Sequence, residues 1–598
     1  MRRRTRHWLL AGLATVALAI PAIGQDAPES LLPSGFGEAL PPDGTSVPPP
    51  PSQGERPGAQ PSDATASLSE ILLNEGDGEE HGDEEDIELA RSKMDLPDTA
   101  RRSLGRIGVI TPRRHGVAPD AYGKTDGGYL TALMKKTQAP IISRWASILL
   151  RRTLLSVTDT PAHVNGADWA AERAWLLLRM GEADAARMMV QSVDVVDYTP
   201  RLFAVAMQTY LATADPAGLC PLTGLALRVS DEPGWKLSRA ICASLSGDQG
   251  MASAVLDEAE RRGTARGIDF RLAEKVVGAG LNSRRSVNIE WEGVDRLTAW
   301  RFGMAMATAL DIPDTLWRGV SPHVQAWQSR AALLPMESRL GSVNMAARLG
   351  VFSNAALVDF YGRLAEEEGA DTNEGVRVMR TAYTGGDMAQ RLEAMRSFWT
   401  KDGKPDYAGY VAMARAAARL PVSAEVGDDM ASIIASMLAA GLDRNAVAWS
   451  GIAGNVGGQV GEDAWAMLAL GSPRPRVDTG TNRIDQYKGT DESVNFIKSR
   501  MLVAGLAGLG RMSRADMAKI APEIGLRPNY SSRWTRAIDA AAQRREAGTV
   551  ALLAAVGMQG NNWRQLPPEH LFHIVSALQR SGFEPEARMI AAEAIARL

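Results

Sequence analysis

One turn recurs along this chain and limits what the chain can build. Gly181-Glu-Ala-Asp-Ala-Ala186-Arg187-Met188 closes one helical period and opens another. Gly582-Phe-Glu-Pro-Glu-Ala587-Arg588-Met589 does the same with identical spacing. Gly247 with Ala252, Gly441 with Ala446 and Gly510 with Ala515 keep the Gly-x4-Ala core. Glycine accepts the left-handed conformation just past a helix C-terminus. The alanine five residues on gives the second helix a small contact where it crosses the first. Such a turn joins the two helices of a tetratricopeptide-type hairpin, which buries its face only by stacking on neighbours. The intervals between matches are irregular, so the repeat is degenerate and not a clean array of roughly 34-residue units. The expected fold is all-α, a tetratricopeptide-like, right-handed α-solenoid of helical hairpins.

The helical pattern occupies only part of the chain. From residue 25 to residue 96 there is little to bury. Pro41, Pro42 and the run Pro48 to Pro51 give a stiff, extended character, and the remainder is mostly Gly, Ser, Asp and Glu, so this stretch is expected to be a disordered tether. Leu68 to Leu73 is a short apolar patch suited to a transient helix or a docking motif. Glu75 to Glu88 is strongly acidic. Asp77, Glu79, His81, Gly82 and Glu88 fall in the register of a calcium loop, but His81 is a poor ligand and no firm helices flank it, so the segment reads as a solvated acidic linker. Basic residues dominate from Arg101 to Arg152, with Asp120 and Asp126 opposing them. Residues 97–128 read as an extended basic connector. Helices are expected from Tyr129 to residue 470, a surface loop at 471–490, and further hairpins at 491–598.

The first residues read as a secretory signal. Arg2, Arg3, Arg4 and Arg6 precede an uncharged run from Leu9 to Ile20. Ala22 and Gly24 supply small residues at −3 and −1, placing a cut before Gln25 and the mature chain in the periplasm. The run is too short to span a bilayer core of roughly 30 Å, and no later stretch reads as a transmembrane segment. Arg3-Arg4 matches a twin-arginine signal only loosely, so no cofactor loaded before export is inferred. A net charge of −4 lacks the basic footprint of a nucleic-acid-binding chain.

The chain has two cysteines, Cys220 and Cys242. They lie on consecutive expected helices, each about eleven residues from a turn at Ser230 to Glu232, and residues equidistant from an antiparallel turn face each other. In an oxidising compartment this arrangement favours a disulfide over two buried thiols. Closing that loop is worth about 3 kcal/mol in the chain-entropy model.

Candidate chemistry is sparse. His570 and His573 lie three apart on one helix face beside Glu569, but no His-Glu-x-x-His motif or third ligand accompanies them, so no metal is expected. Asp478-Thr479-Gly480 copies an aspartic-protease triplet, but that chemistry needs two carboxylates sharing a proton on paired β-loops. Glu337-Ser338 matches the Glu-Ser pair that periplasmic lytic transglycosylases combine with a helical solenoid. The nearest echo of their second motif is Gly386-Asp-Met-Ala-Gln390, at the wrong spacing. The glycines from Gly451 to Gly461 fit no nucleotide-binding loop and read as a mobile connection. Most tryptophans, among them Trp169, Trp235 and Trp327, sit at helical positions and are expected in the core.

Two stretches carry a resemblance. Leu566-Pro-Pro-Glu-His-Leu-Phe-His-Ile-Val through Arg588-Met-Ile-Ala-Ala-Glu-Ala, with Arg144-Trp-Ala-Ser-Ile-Leu-Leu-Arg-Arg152, resembles a family of uncharacterised exported alphaproteobacterial proteins, some labelled antifreeze-glycopeptide-like. That resemblance implies no activity, and the Ala-Ala-Thr tandem repeat that would justify the label is missing. The function expected is that of a non-catalytic periplasmic scaffold or adaptor that binds another envelope protein and uses no cofactor. The competing expectations are a cell-wall enzyme or its regulator, and a glycan-binding module.

Overall fold

The computed structural model describes residues 96–97, 99–281, 287–367 and 373–598. The expected signal, acidic run and calcium-loop register, and all but the last residue of the tether, lie outside the described residues. Among those described, the fold is all-α, with two pairs of very short antiparallel strands as the only sheets. Among the described residues no helix is long and apolar enough to cross a membrane.

The recurrent turn has one backbone solution. Gly181, Gly247, Gly441, Gly510 and Gly582 all take φ between 68° and 88°. In each, the glycine N–H bonds back three residues and the next N–H bonds back five: Gly181 to Leu178 O and Glu182 to Leu177 O, Gly582 to Gln579 O and Phe583 to Leu578 O. This is the Schellman arrangement, which satisfies carbonyls orphaned at a helix end. Ala186, Ala252, Ala446 and Ala587 are fully buried on the second helix. Ala515 is not. It is exposed, because the helix after Gly510 begins only at Arg514, and Met517 is the buried contact instead.

The hairpins pack on one continuous core running from Ile107 to Ile595, with a small satellite of Leu237, Ala259, Phe270 and Ala273. Residues 106–122 are pinned to this core. Arg106–Ile107 pairs antiparallel with Thr158–Asp159, and the Val109 N–H bonds to Leu155 O at 2.8 Å. Within the expected connector Ile107, Val117, Ala121 and Tyr122 are buried.

The ends of the described array meet. The Arg144–Leu155 helix packs against the Ala547–Gly557 and Glu584–Ala596 helices, and touches Leu340–Leu349 midway along the chain. A strictly linear solenoid, where each repeat touches only its neighbours, lacks such a return contact.

The expected surface loop at 471–490 is corrected in part. Thr481–Thr490 is a helix that buries Ile484 and Tyr487. Tyr487 packs on Trp465, whose indole N–H donates to Asp478 O at 2.9 Å. Two apolar residues three apart are enough to dock this otherwise polar helix. The expected glycine-rich connection is likewise ordered, with Ser450–Ala453 and Gly458–Gly471 both helical.

Candidate binding cleft

Before any open site can be recognised, the buried ions must be accounted for. Arg144 is buried, and its guanidinium spends its donors on two helix C-terminal carbonyls and one in the following turn. Nε donates to Ala347 O at 3.0 Å, Nη1 to Ala439 O at 2.7 Å and Nη2 to Phe352 O at 3.0 Å. Burial holds its pKa below the usual arginine value. Glu593, with a fully buried side chain, accepts from Ser143 Oγ at 2.6 Å, the Arg144 N–H at 2.9 Å and Arg597 at 2.8 Å. A carboxylate at the first turn of a helix complements its macrodipole.

The same device recurs. Arg173 donates to Leu154 O at 2.7 Å and Ile107 O at 3.0 Å, and burial brings its pKa down to about 10. Arg511 donates to Ala469 O at 2.6 Å and Leu470 O at 3.0 Å. These arginines answer carbonyls at helix ends, and in two cases a strand or turn carbonyl, with a planar fork that a lysine point charge does not match.

One open cleft of about 690 Å³ lies where this framework closes. Its walls come from the Tyr407–Ala417, Met430–Ala439, Gly458–Gly471, Ile497–Gly508 and Glu584–Ala596 helices, with a small β-hairpin at its rim. The volume is in the range of small-ligand or peptide-anchoring sites. Most charges inside are paired. Arg348 meets Asp406 at 2.8 Å, and Lys498 meets Asp463 at 2.6 Å. Arg597 lies 4.7 Å over the Tyr407 ring. Tyr407 and Tyr410 meet edge to face and are buried, so they form floor rather than stacking platform. The hairpin differs. Thr400–Lys401 pairs with Lys404–Pro405 around an Asp402-Gly403 turn, and all five residues from Lys401 to Pro405 are exposed. A second depression of about 860 Å³ lies around Arg266, Arg271 and Arg301.

The residues singled out in the sequence lie elsewhere. Cys220 and Cys242 form a disulfide with Cα atoms 5.4 Å apart, between Cys220–Val229 and Pro233–Leu245. His573 uses both ring nitrogens, with Asp539 Oδ2 at 2.9 Å and Tyr530 O at 3.3 Å. His570 stacks on Trp534 at 4.5 Å, and burial pushes its pKa down. No cluster of three potential metal ligands occurs among the described residues. Asp478 accepts from the Gly480 N–H at 2.8 Å, ahead of the next helix. Glu337 is exposed and accepts from Asn373 at 3.0 Å, while Ser338 donates to Pro335 O at 2.8 Å. Trp169, Trp235, Trp327, Trp399, Trp449, Trp465 and Trp563 are buried, and no tryptophan lines the cleft. None of the sequence-selected residues belongs to the cleft. The signal that could have found it is Lys401-Asp-Gly-Lys404, a hairpin-type Asp-Gly turn between like charges. Comparison with protein-family models, curated proteins and solved structures finds no match.

Proposed function

We propose that this protein is a non-catalytic scaffold of the bacterial cell envelope, exported to the periplasm, which holds another envelope protein on its helical-repeat surface. The observation that carries the reading is the open cleft with an exposed, charged hairpin, set in a framework whose buried ions are spent on the framework itself. A recognition surface needs that combination: rigid walls that limit the cost of ordering on binding, and uncommitted polar groups at the rim. The basic and apolar order of residues 2–24 supports export, and the Cys220–Cys242 disulfide suits an oxidising compartment.

Crosslinking of intact envelopes followed by affinity capture of the tagged full chain tests the proposal. One protein recovered at stoichiometric level, together with release of the chain by osmotic shock, is the expected result. Recovery of no stoichiometric protein partner, or retention of the chain in the cytoplasm, overturns it.

A further inference from the structure

The hairpin at the cleft rim sets two lysines against each other. Lys401 and Lys404 are direct cross-strand partners, since Thr400 pairs with Pro405 and Lys401 with Lys404. The turn between them holds Asp402 at φ 52° and Gly403 at φ 71°. Positive φ at both central residues is the type I′ geometry, which keeps the strands tight and the flanking side chains on one face. Like charges directly opposite on a two-stranded ribbon repel. Among the described residues neither ammonium has an ion-pair or hydrogen-bond partner to relieve that repulsion. Both line the cleft.

A second feature lies on the chain just before Lys498, which also lines the cleft. Lys498 is preceded by a turn that displays apolar side chains: Val494 is 69% exposed and Phe496 44%. Asn495 and Phe496 both hold left-handed backbone, at φ 56° and 52°. Asp491 fixes the loop, accepting from the Ser493 N–H at 2.9 Å and the Ser499 N–H at 2.8 Å. Non-glycine residues held in this region of the map cost free energy and persist where the surroundings over-determine them.

We propose that the cleft is a docking site for an acidic peptide segment of the partner protein, gripped by the Lys401–Lys404 fork, with an apolar side chain of that segment set against Val494 and Phe496. The occupant follows from the charge. Two unpaired cations about one strand spacing apart accept carboxylates. A polyphosphate or an anionic membrane is disfavoured, because it would bring dense charge against Asp402 in the turn between the lysines, whereas a peptide spaces single carboxylates. A peptide offers an N–H to Asp402 and side-chain acids to the lysines, while Asp406 and Asp463 are already paired with Arg348 and Lys498.

This inference rests on the scaffold reading. The test uses the full mature chain and a fluorescein-labelled Glu-Glu-Leu repeat peptide, read by fluorescence anisotropy. The expected result is saturable binding that weakens as salt rises, is lost for the Gln-Gln-Leu control, and falls about tenfold or more in K401E/K404E. Both lysines are exposed and unpartnered, so the variant keeps its fold, checked by circular dichroism. Equal binding of the Gln peptide, unchanged binding in K401E/K404E, or competition by inorganic phosphate at matched ionic strength each overturns the inference. The chain's own Glu75–Glu88 run is the rival occupant, and a tenfold gain in probe affinity on deleting it reassigns the cleft to that run. Envelope capture with K401E/K404E separates the two proposals. A partner captured equally by both chains sinks the fork and leaves the scaffold; no partner with either chain sinks the scaffold.

Discussion

Replacing Glu593 by Gln tests whether the return contact holds the array closed. The carboxylate is fully buried and accepts from Ser143 Oγ, the Arg144 N–H and Arg597. Gln keeps the shape and one acceptor oxygen but presents an amide donor to groups that are themselves donors. Hydrogen bonds to a charged group are worth about 1.5–3 kcal/mol each, and two of them are lost or weakened. The lost charge at a helix N-terminus adds up to about 1 kcal/mol. The expected cost is therefore about 3–7 kcal/mol. For a chain of this length the melting temperature then falls by roughly 3–6 °C. Because the contact joins two distant segments, amide exchange should rise together in 143–155 and 584–597 and stay unchanged in the disulfide hairpin at 220–245. Exchange that rises in only one of the two segments, or a loss below about 1 kcal/mol, refutes the closure argument.

Other consequences follow from single features. The C220S/C242S variant should lose about 3 kcal/mol through the entropy of its open loop, seen as a lower melting temperature that added reductant no longer changes. Gly247→Ala should cost about 1–2 kcal/mol for its left-handed backbone alone, since a Cβ there meets open space. Gly441→Ala should cost more, because a Cβ there lies 2.9 Å from Trp145 Cη2, whereas Arg545→Gly, at φ 59°, should stabilise by up to about 1 kcal/mol; thermal melts rank the three. Burial raises the Glu182 pKa to about 7, against Arg151 at 2.7 Å, with Asp184 and Arg144 also acting on it. The folded state therefore keeps a proton that the unfolded chain releases near its ordinary value. That contribution is fully present below about pH 4.5 and is lost as pH rises to about 7, a fall of about 3 kcal/mol that Glu182→Gln should abolish in denaturant titrations across pH 5–8.

What could be read in the sequence depended on how local the physical cause was. The Gly-x4-Ala turns were legible because a Schellman turn makes a backbone demand that glycine meets most easily. The same turn at Ala214, Ala309 and Arg545, all at positive φ, was not, because there the packed helices impose the conformation on a residue that resists it. The cysteine pair was legible from hairpin symmetry. Thr481–Thr490 was missed because its polar composition hides the Ile484 and Tyr487 pair that docks it. The contact of Arg144 with Glu593 spans 449 positions, and no periodicity encodes it. Both residues lie in the stretches 144–152 and 566–594, so those stretches are where the described array closes on itself.

The division of labour between the two basic residue types connects that closure to the cleft. Arginine is used inside, where its planar fork binds two or three carbonyls at once: Arg144 ties helix ends from distant parts of the chain, Arg173 joins a helix end to a strand, and Arg511 caps one helix end. Lysine is left at the rim, where a compact, strongly hydrated charge on a flexible stem reaches a ligand without committing the backbone. A framework fixed by internal arginines keeps the walls of the cleft in place before anything binds, so a ligand orders two lysine side chains rather than several helices. Affinity from such a rim acts chiefly through encounter. Salt and K401E/K404E should therefore slow association of the acidic peptide by about tenfold while changing its dissociation much less, as stopped-flow anisotropy reads directly. A variant that altered dissociation alone would place the grip on the apolar Val494–Phe496 loop and not on the lysines.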